Sequence, residues 1–246
     1  KDEDGNRQPI TAKPQAGEHP QRGQMVFFGT GQYFAINDQI VANPAKVQTF
    51  YGIQDLGAPV AARSNLQQQT ITHELTHPNA PNIDVRVVSD TVVDYLPSSS
   101  SVKSGWYLDL ISPVNGAEGE RNVSSPLLRD GRIIFTTLIP SADPCSGGGD
   151  SWLMELDAIN GGRLDLAVFG SNYGYILVDL DGDGVYEKVA TSGVRIHGVG
   201  IIKTPAILAT GGKGEKKYLA GTSGGVGIVY EVNRDANGRQ SWRQIQ

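Results

Sequence analysis

Three stretches of this chain repeat one order of parts, and that recurrence limits the fold more than any other feature. Each unit opens on a short segment ending in proline: Ile10-Thr11-Ala12-Lys13-Pro14, Asn122-Val123-Ser124-Ser125-Pro126 and Ile202-Lys203-Thr204-Pro205. Each continues into an apolar run closing on Gly-Thr or Thr-Thr, as in Met25–Thr30, Ile133–Thr137 and Tyr218–Thr222. Each then reaches an aromatic-led or β-branched run: Phe50-Tyr51-Gly52-Ile53, Trp152-Leu153-Met154-Glu155-Leu156 and Val229-Tyr230-Glu231-Val232. A further run of this type, Gly105-Trp106-Tyr107-Leu108-Asp109-Leu110, precedes the Trp152 segment. Proline has no amide hydrogen to give a ladder, so it suits the first position of an edge strand. Glycine (31) and proline (13) make up about 18% of the 246 residues, against roughly 12% in an average chain. They are spread as punctuation between short runs, which is the pattern of many strands and many turns, and no convincing helix stands out.

Units of three or four strands recurring at roughly 45 residues match the size of a propeller blade. The expected fold is therefore all-β: a β-propeller, of which about four to five blades fit in this length, with insertions near 57–69 and 78–104. A generic β-sandwich shares the short strands but does not require the recurrence. A closed propeller usually needs more blades, so residues 1–246 read as the C-terminal part of a larger propeller. The chain also begins without Met, which reads as a piece of a longer protein.

Composition removes several function classes. Lys plus Arg is 21 and Asp plus Glu is 26, for a net charge of −5. No excess of cations is present to displace counterions from phosphate, so a nucleic-acid partner is not expected. No run approaches the length of a membrane span. The single cysteine, Cys145, excludes an internal disulfide and a multi-cysteine metal site.

The sharpest chemical pattern is Asp179-Leu180-Asp181-Gly182-Asp183-Gly184-Val185-Tyr186-Glu187. Carboxylates stand at positions 1, 3 and 5, a glycine at 6 allows a sharp turn, a backbone carbonyl follows at Val185, and Glu187 occupies position 9. A hard cation is held by several oxygens at about 2.3–2.6 Å, and this spacing wraps them around one point. The candidate metal ligands are therefore Asp179, Asp181, Asp183, Val185 and Glu187, and the candidate ion is Ca2+. Position 12 is Ala190 rather than the bidentate glutamate of an EF-hand. The flanks Tyr175–Val178 and Val185–Ala190 read as strands, so the loop is expected at the tip of a hairpin. Without the twelfth ligand the expected affinity is modest, roughly 10⁻⁴–10⁻³ M or somewhat tighter. An unoccupied acidic turn is the plainer alternative, since Asp-Gly is a common turn pair.

His73-Glu74-Leu75-Thr76-His77 matches the H-E-x-x-H pattern of zinc peptidases. That chemistry needs a helix to bring both imidazoles to one zinc. Here β-branched Thr70-Ile71-Thr72 precedes the motif and Pro78 follows it, so a strand is expected, with the two histidines about 13 Å apart. Gly211-Gly212-Lys213-Gly214 lacks phosphate-loop spacing and reads as a hairpin turn. The three tryptophans, Trp106, Trp152 and Trp242, read as core fillers between blades.

The run Val123–Phe135 followed by Trp152–Ala158 resembles a quinoprotein-type propeller blade. Taken with Phe28-Gly29-Thr30-Gly31-Gln32-Tyr33, Phe135–Pro140, Asp143-Pro144-Cys145 and the closing Gly238–Gln244, the chain resembles the C-terminal propeller of the PilC/PilY family of type IV pilus tip adhesins and assembly factors. The resemblance implies a non-enzymatic module with pilins, other pilus assembly components and host-cell or abiotic surface receptors as partners. It implies export through the periplasm to the outer membrane and the pilus tip at the cell surface, with calcium-dependent control of pilus extension and adhesion. The alternatives are a quinoprotein-like dehydrogenase, for which paired active-site cysteines are missing, and a zinc peptidase at His73–His77.

Overall fold

A computed structural model describes residues 2, 5–143, 147–210 and 214–232. Cys145, Trp242, the Gly238–Gln244 segment and the first three residues of Gly211–Gly214 lie outside them. The described chain is all-β, with helical structure limited to one turn of 3-10 helix at Arg63–Asn65 and one four-residue turn, α1, at Gly170–Tyr173.

The three repeat units are three antiparallel meanders. In the first, β1 (Gln15–Glu18), β2 (Gln24–Gly29) and β3 (Thr49–Asp55) pair in chain order. In the second, β8 (Leu127–Arg129), β9 (Arg132–Pro140) and β10 (Gly149–Asp157) do the same. The third is β14 (Ala206–Ala209), β15 (Gly214–Ala220) and β16 (Val226–Val232). Pro14, Pro126 and Pro205 each stand one residue before the first strand of their unit, and β1, β8 and β14 are all sheet edges. The missing proline donor is thus placed where no neighbouring strand asks for it.

A fourth strand completes the first two units. The Gly105 segment forms β7 (Gly105–Asp109), antiparallel to β3, and β13 (Gly193–Ile196) pairs with β10. The expected insertions are more ordered than loops. The first contains β4 (Gln67–Gln69), which adds parallel to β7. The second contains all of β6 (Ala80–Val88), which pairs with β5 (Ile71–His77) and extends the second sheet through β13. The sheets therefore run β1-β2-β3-β7-β4, β5-β6-β13-β10-β9-β8 and β14-β15-β16, with a separate hairpin of β11 (Tyr175–Val178) and β12 (Glu187–Ala190). They stack in series, and the described residues do not close a ring.

The middle sheet is covered on both faces, which is why β9 and β10 are almost continuously apolar or small. Toward the first sheet, Phe135, Trp152 and Met154 pack with Phe27, Phe50 and Trp106. The Phe50 and Phe135 rings stack at 3.8 Å, and the Trp106 indole donates to the Ala158 carbonyl at 3.1 Å. Trp106 and Trp152 are fully buried, as core fillers should be. Toward the third sheet and the β11–β12 hairpin, Ile134, Leu153 and Val194 pack with Leu219, Val229, Ile176 and Val189.

The contact between the second and third sheets also holds buried charge. Arg132 Nη1 donates to Glu155 at 3.0 Å and lies 3.5 Å from Glu231, while Arg132 Nη2 reaches Glu215 at 3.4 Å. Lys217 bonds Glu155 and Glu231 directly and lies 3.7 Å from Glu215. Arg129 adds a bond to Glu215 at 2.8 Å. Three cations thus meet three acidic side chains. Burial pushes the Glu155 carboxyl up, but the Lys217 and Arg132 charges and the hydrogen bonds from Glu231 and Lys217 together outweigh it, and the net direction is down. Burial and the Glu155 charge push Glu231 up to about 10, so it holds its proton at neutral pH.

Candidate metal centre

The acidic loop joins β11 to β12, so its place at a hairpin tip is as expected. β12 starts at Glu187, two residues later than the pattern suggests. Val185 and Tyr186 belong to the loop and are 60% and 67% exposed, with no sheet neighbour to cover them. The ribbon below is anchored. Ile176, Val178 and Val189 are buried in the core, the Tyr175 carbonyl lies 3.3 Å from His77 Nε2, and the Thr191 hydroxyl donates to the Tyr173 carbonyl at 3.0 Å.

The loop folds around Asp179. Its two carboxylate oxygens accept from the amides of Gly182 at 2.7 Å and Gly184 at 2.9 Å. Both glycines have positive φ, +80° and +86°, which turns their amides inward at no steric cost. Asp181 accepts from the Asp183 amide at 3.2 Å, and Asp183 accepts from the Val185 amide at 2.7 Å. The amides of Gly184 first and then of Gly182 hold the Asp179 carboxyl below its ordinary range.

One carboxylate oxygen from each of Asp179, Asp181 and Asp183 lies within 4.8 Å of the other two. Oxygens on opposite sides of a calcium ion are separated by roughly twice the 2.3–2.6 Å bond, so this spread fits one coordination sphere. Among the described residues this is the group of three carboxylate, imidazole or thiol side chains with metal-binding spacing. Glu187 stands apart from it: its Oε2 accepts from the Leu180 amide at 3.1 Å, closing the loop from its far end. The side chain of Val185 is exposed, and only its carbonyl could serve as a ligand.

The histidine motif is a strand, β5, with irregular register at both ends. Its groups are engaged separately. Glu74 accepts from Arg86 at 2.8 Å, His73 Nδ1 lies 3.1 Å from Thr72, and the Asn79 amide donates to His77 Nδ1 at 3.2 Å.

No protein-family model matches the chain. The type IV pilus biogenesis factor PilY1 of Pseudomonas aeruginosa PAO1 is 34% identical over 260 residues, covering all of this chain and 21% of that protein. A PilY1 homologue of Xylella fastidiosa is 39% identical over 159 residues, 64% of this chain and 10% of that protein. Among solved structures, the P. aeruginosa PilY1 C-terminal domain superposes with a TM-score of 0.70 and 27% identity, over 94% of this chain and 46% of the domain. The chain thus spans about a fifth of the P. aeruginosa relative and about half of the solved domain.

Proposed function

Because the chain belongs to the PilC/PilY family of type IV pilus biogenesis factors, we propose that it is a non-enzymatic part of such a factor whose hairpin loop binds Ca2+. Asp179, Asp181 and Asp183 supply carboxylate oxygens, the Val185 carbonyl a further one, and Glu187 the closing acid. The observation that carries this reading is the convergence of three charged carboxylates within 4.8 Å on an anchored hairpin. Three like charges so close repel one another unless a cation lies between them. Binding would stiffen a loop that is otherwise tied only by its own amides, and would couple the order of this tip to the calcium level around it.

In this role the module acts outside the cytoplasm, at the pilus tip with an outer-membrane or periplasmic pool. Its partners are pilins and other assembly components, and receptors on host cells or abiotic surfaces. Calcium at the loop would stabilise or regulate pilus extension and surface adhesion.

A calorimetric calcium titration of chelator-treated protein tests the site. One site per chain is expected, lost in Asp181→Ala and in Asp183→Ala. At calcium a hundredfold above Kd, the ion should stabilise the fold by about 2.7 kcal/mol, read as a shift in the unfolding midpoint. Unchanged affinity in both variants would remove the loop from the proposal.

A further inference from the structure

A second site with the makings of a ligand pocket lies on the first sheet's side of the molecule. The connection from β2 to β3, residues 30–48, meets the segment around Arg7 and the segment Gly119–Arg121 at a half-open cavity of about 630 Å³. That is within the range that small ligands occupy. Arg7, Lys46 and Arg121 all line it.

The half-buried Arg121 side chain is the key. Its guanidinium donates to three backbone carbonyls: Gly119 at 2.9 Å, Gln32 at 3.1 Å and Asp38 at 3.1 Å. None of these neutralises it, and burial lowers its pKa. Among the described residues no carboxylate pairs with Arg121, Arg7 or Lys46 within 4 Å. Asp38 shares the wall; its carboxylate accepts from Gln32 Nε2 at 3.0 Å and from the amides of Phe34 and Ala35 at 2.9 and 2.7 Å, and its charge partly offsets that of Arg121. Three cations therefore face one cavity against the single carboxylate of Asp38, which leaves its wall net positive. Arg7 and Lys46 are exposed and Arg121 is half-buried, so an anion brought to this wall meets cations only partly screened by water.

Two further features narrow the ligand. Gln48, on the same wall, has a buried Oε1 with no hydrogen-bond partner, an acceptor suited to a hydroxyl donor. Ile40 and Val41 supply an apolar side. We propose that this pocket binds a small hydroxylated carboxylate, with a uronic acid sugar as the compact form: the carboxylate against Arg121, Arg7 and Lys46, a hydroxyl toward Gln48, and the C–H face on Ile40 and Val41. The site is separate from the calcium loop and its argument does not depend on it.

The test is a titration of the full chain with methyl glucuronide, methyl glucoside and N-acetylaspartate, followed by calorimetry and by protein NMR. Methyl glucuronide is expected to bind, weakening as salt rises, while methyl glucoside binds at least about tenfold more weakly. Arg7→Gln and Lys46→Gln, both on exposed side chains, should each weaken the glucuronide severalfold without disturbing the fold. Arg121→Gln should abolish binding; because it also breaks three loop bonds, its fold is checked by the same NMR spectrum, and the two surface variants carry the test if it unfolds. The proposal is overturned if the glucuronide does not bind, if the neutral glucoside binds equally, if N-acetylaspartate matches the glucuronide, or if both surface variants leave affinity unchanged.

Discussion

Replacing Glu231 with glutamine should flatten the pH dependence of folding. Glu231 sits between the second and third sheets, facing Arg132 from β9, Glu155 from β10 and Lys217 from β15. Glu215, Arg129 and Asp130 complete the charged surroundings, and Tyr173 approaches from α1. Burial and the Glu155 charge raise its carboxyl from 4.5 to about 10. The native chain therefore keeps a proton that the unfolded chain has released. A raised acid stabilises fully below its unfolded pKa, and that contribution drains away as pH climbs toward the folded one. For one proton the slope is at most about 1.4 kcal/mol per pH unit, so between pH 5.5 and 8.5 wild type should lose up to about 4 kcal/mol from this group. Glutamine has the shape of the protonated acid and no proton to lose. Urea unfolding of both proteins, followed by tryptophan fluorescence at pH 5.5 and 8.5, measures the difference. The variant should gain on wild type as pH rises. Parallel slopes, or a variant that falls further behind at pH 8.5, would refute a protonated Glu231.

Two other substitutions probe the same packing. Lys217→Met removes the cation shared by Glu155 and Glu231 and leaves the buried Glu155 charge to Arg132 alone, so unfolding midpoints should show a loss of about 3–5 kcal/mol at pH 7.5; a loss below about 1 kcal/mol would mean the cluster is wet in solution. Gly52→Ala places a methyl group against the fully buried Trp106 ring on the paired strand, where no open space exists, and should cost about 1–3 kcal/mol by the same assay.

Much of the first-order structure was legible because it depends on local chemistry. Pro14, Pro126 and Pro205 lack a donor whatever surrounds them, so each marks the start of an edge strand. Asp179–Glu187 forms its loop from its own amides and carboxylates, and the two glycines need only their own backbone freedom. Likewise Pro78 and the β-branched run before His73 are enough to refuse a helix. The alternating carboxylates, not their neighbours, make the candidate metal centre visible.

The buried ionic cluster was illegible for the opposite reason. In Gly214-Glu215-Lys216-Lys217-Tyr218 a strand's period of two puts Glu215 and Lys217 on one face and Lys216 and Tyr218 on the other, and ordinary hydropathy would send the charges outward. The structure buries Glu215 and Lys217 against the middle sheet and leaves Lys216 and Tyr218 half-covered. Arg132, Glu155 and Glu231 come from strands up to 99 residues apart, and each is tolerable inside only because the others are there. Arg121 is the same case on the other side of the molecule, its surroundings drawn from residues 32 to 119. Strand identity, edge position and the acidic loop follow from covalent and near-neighbour physics, which the sequence carries by itself. The order in which β5 and β6 join the second sheet, and which charges end up buried and paired, depend on long-range neighbours whose electrostatics exist only once the sheets are stacked.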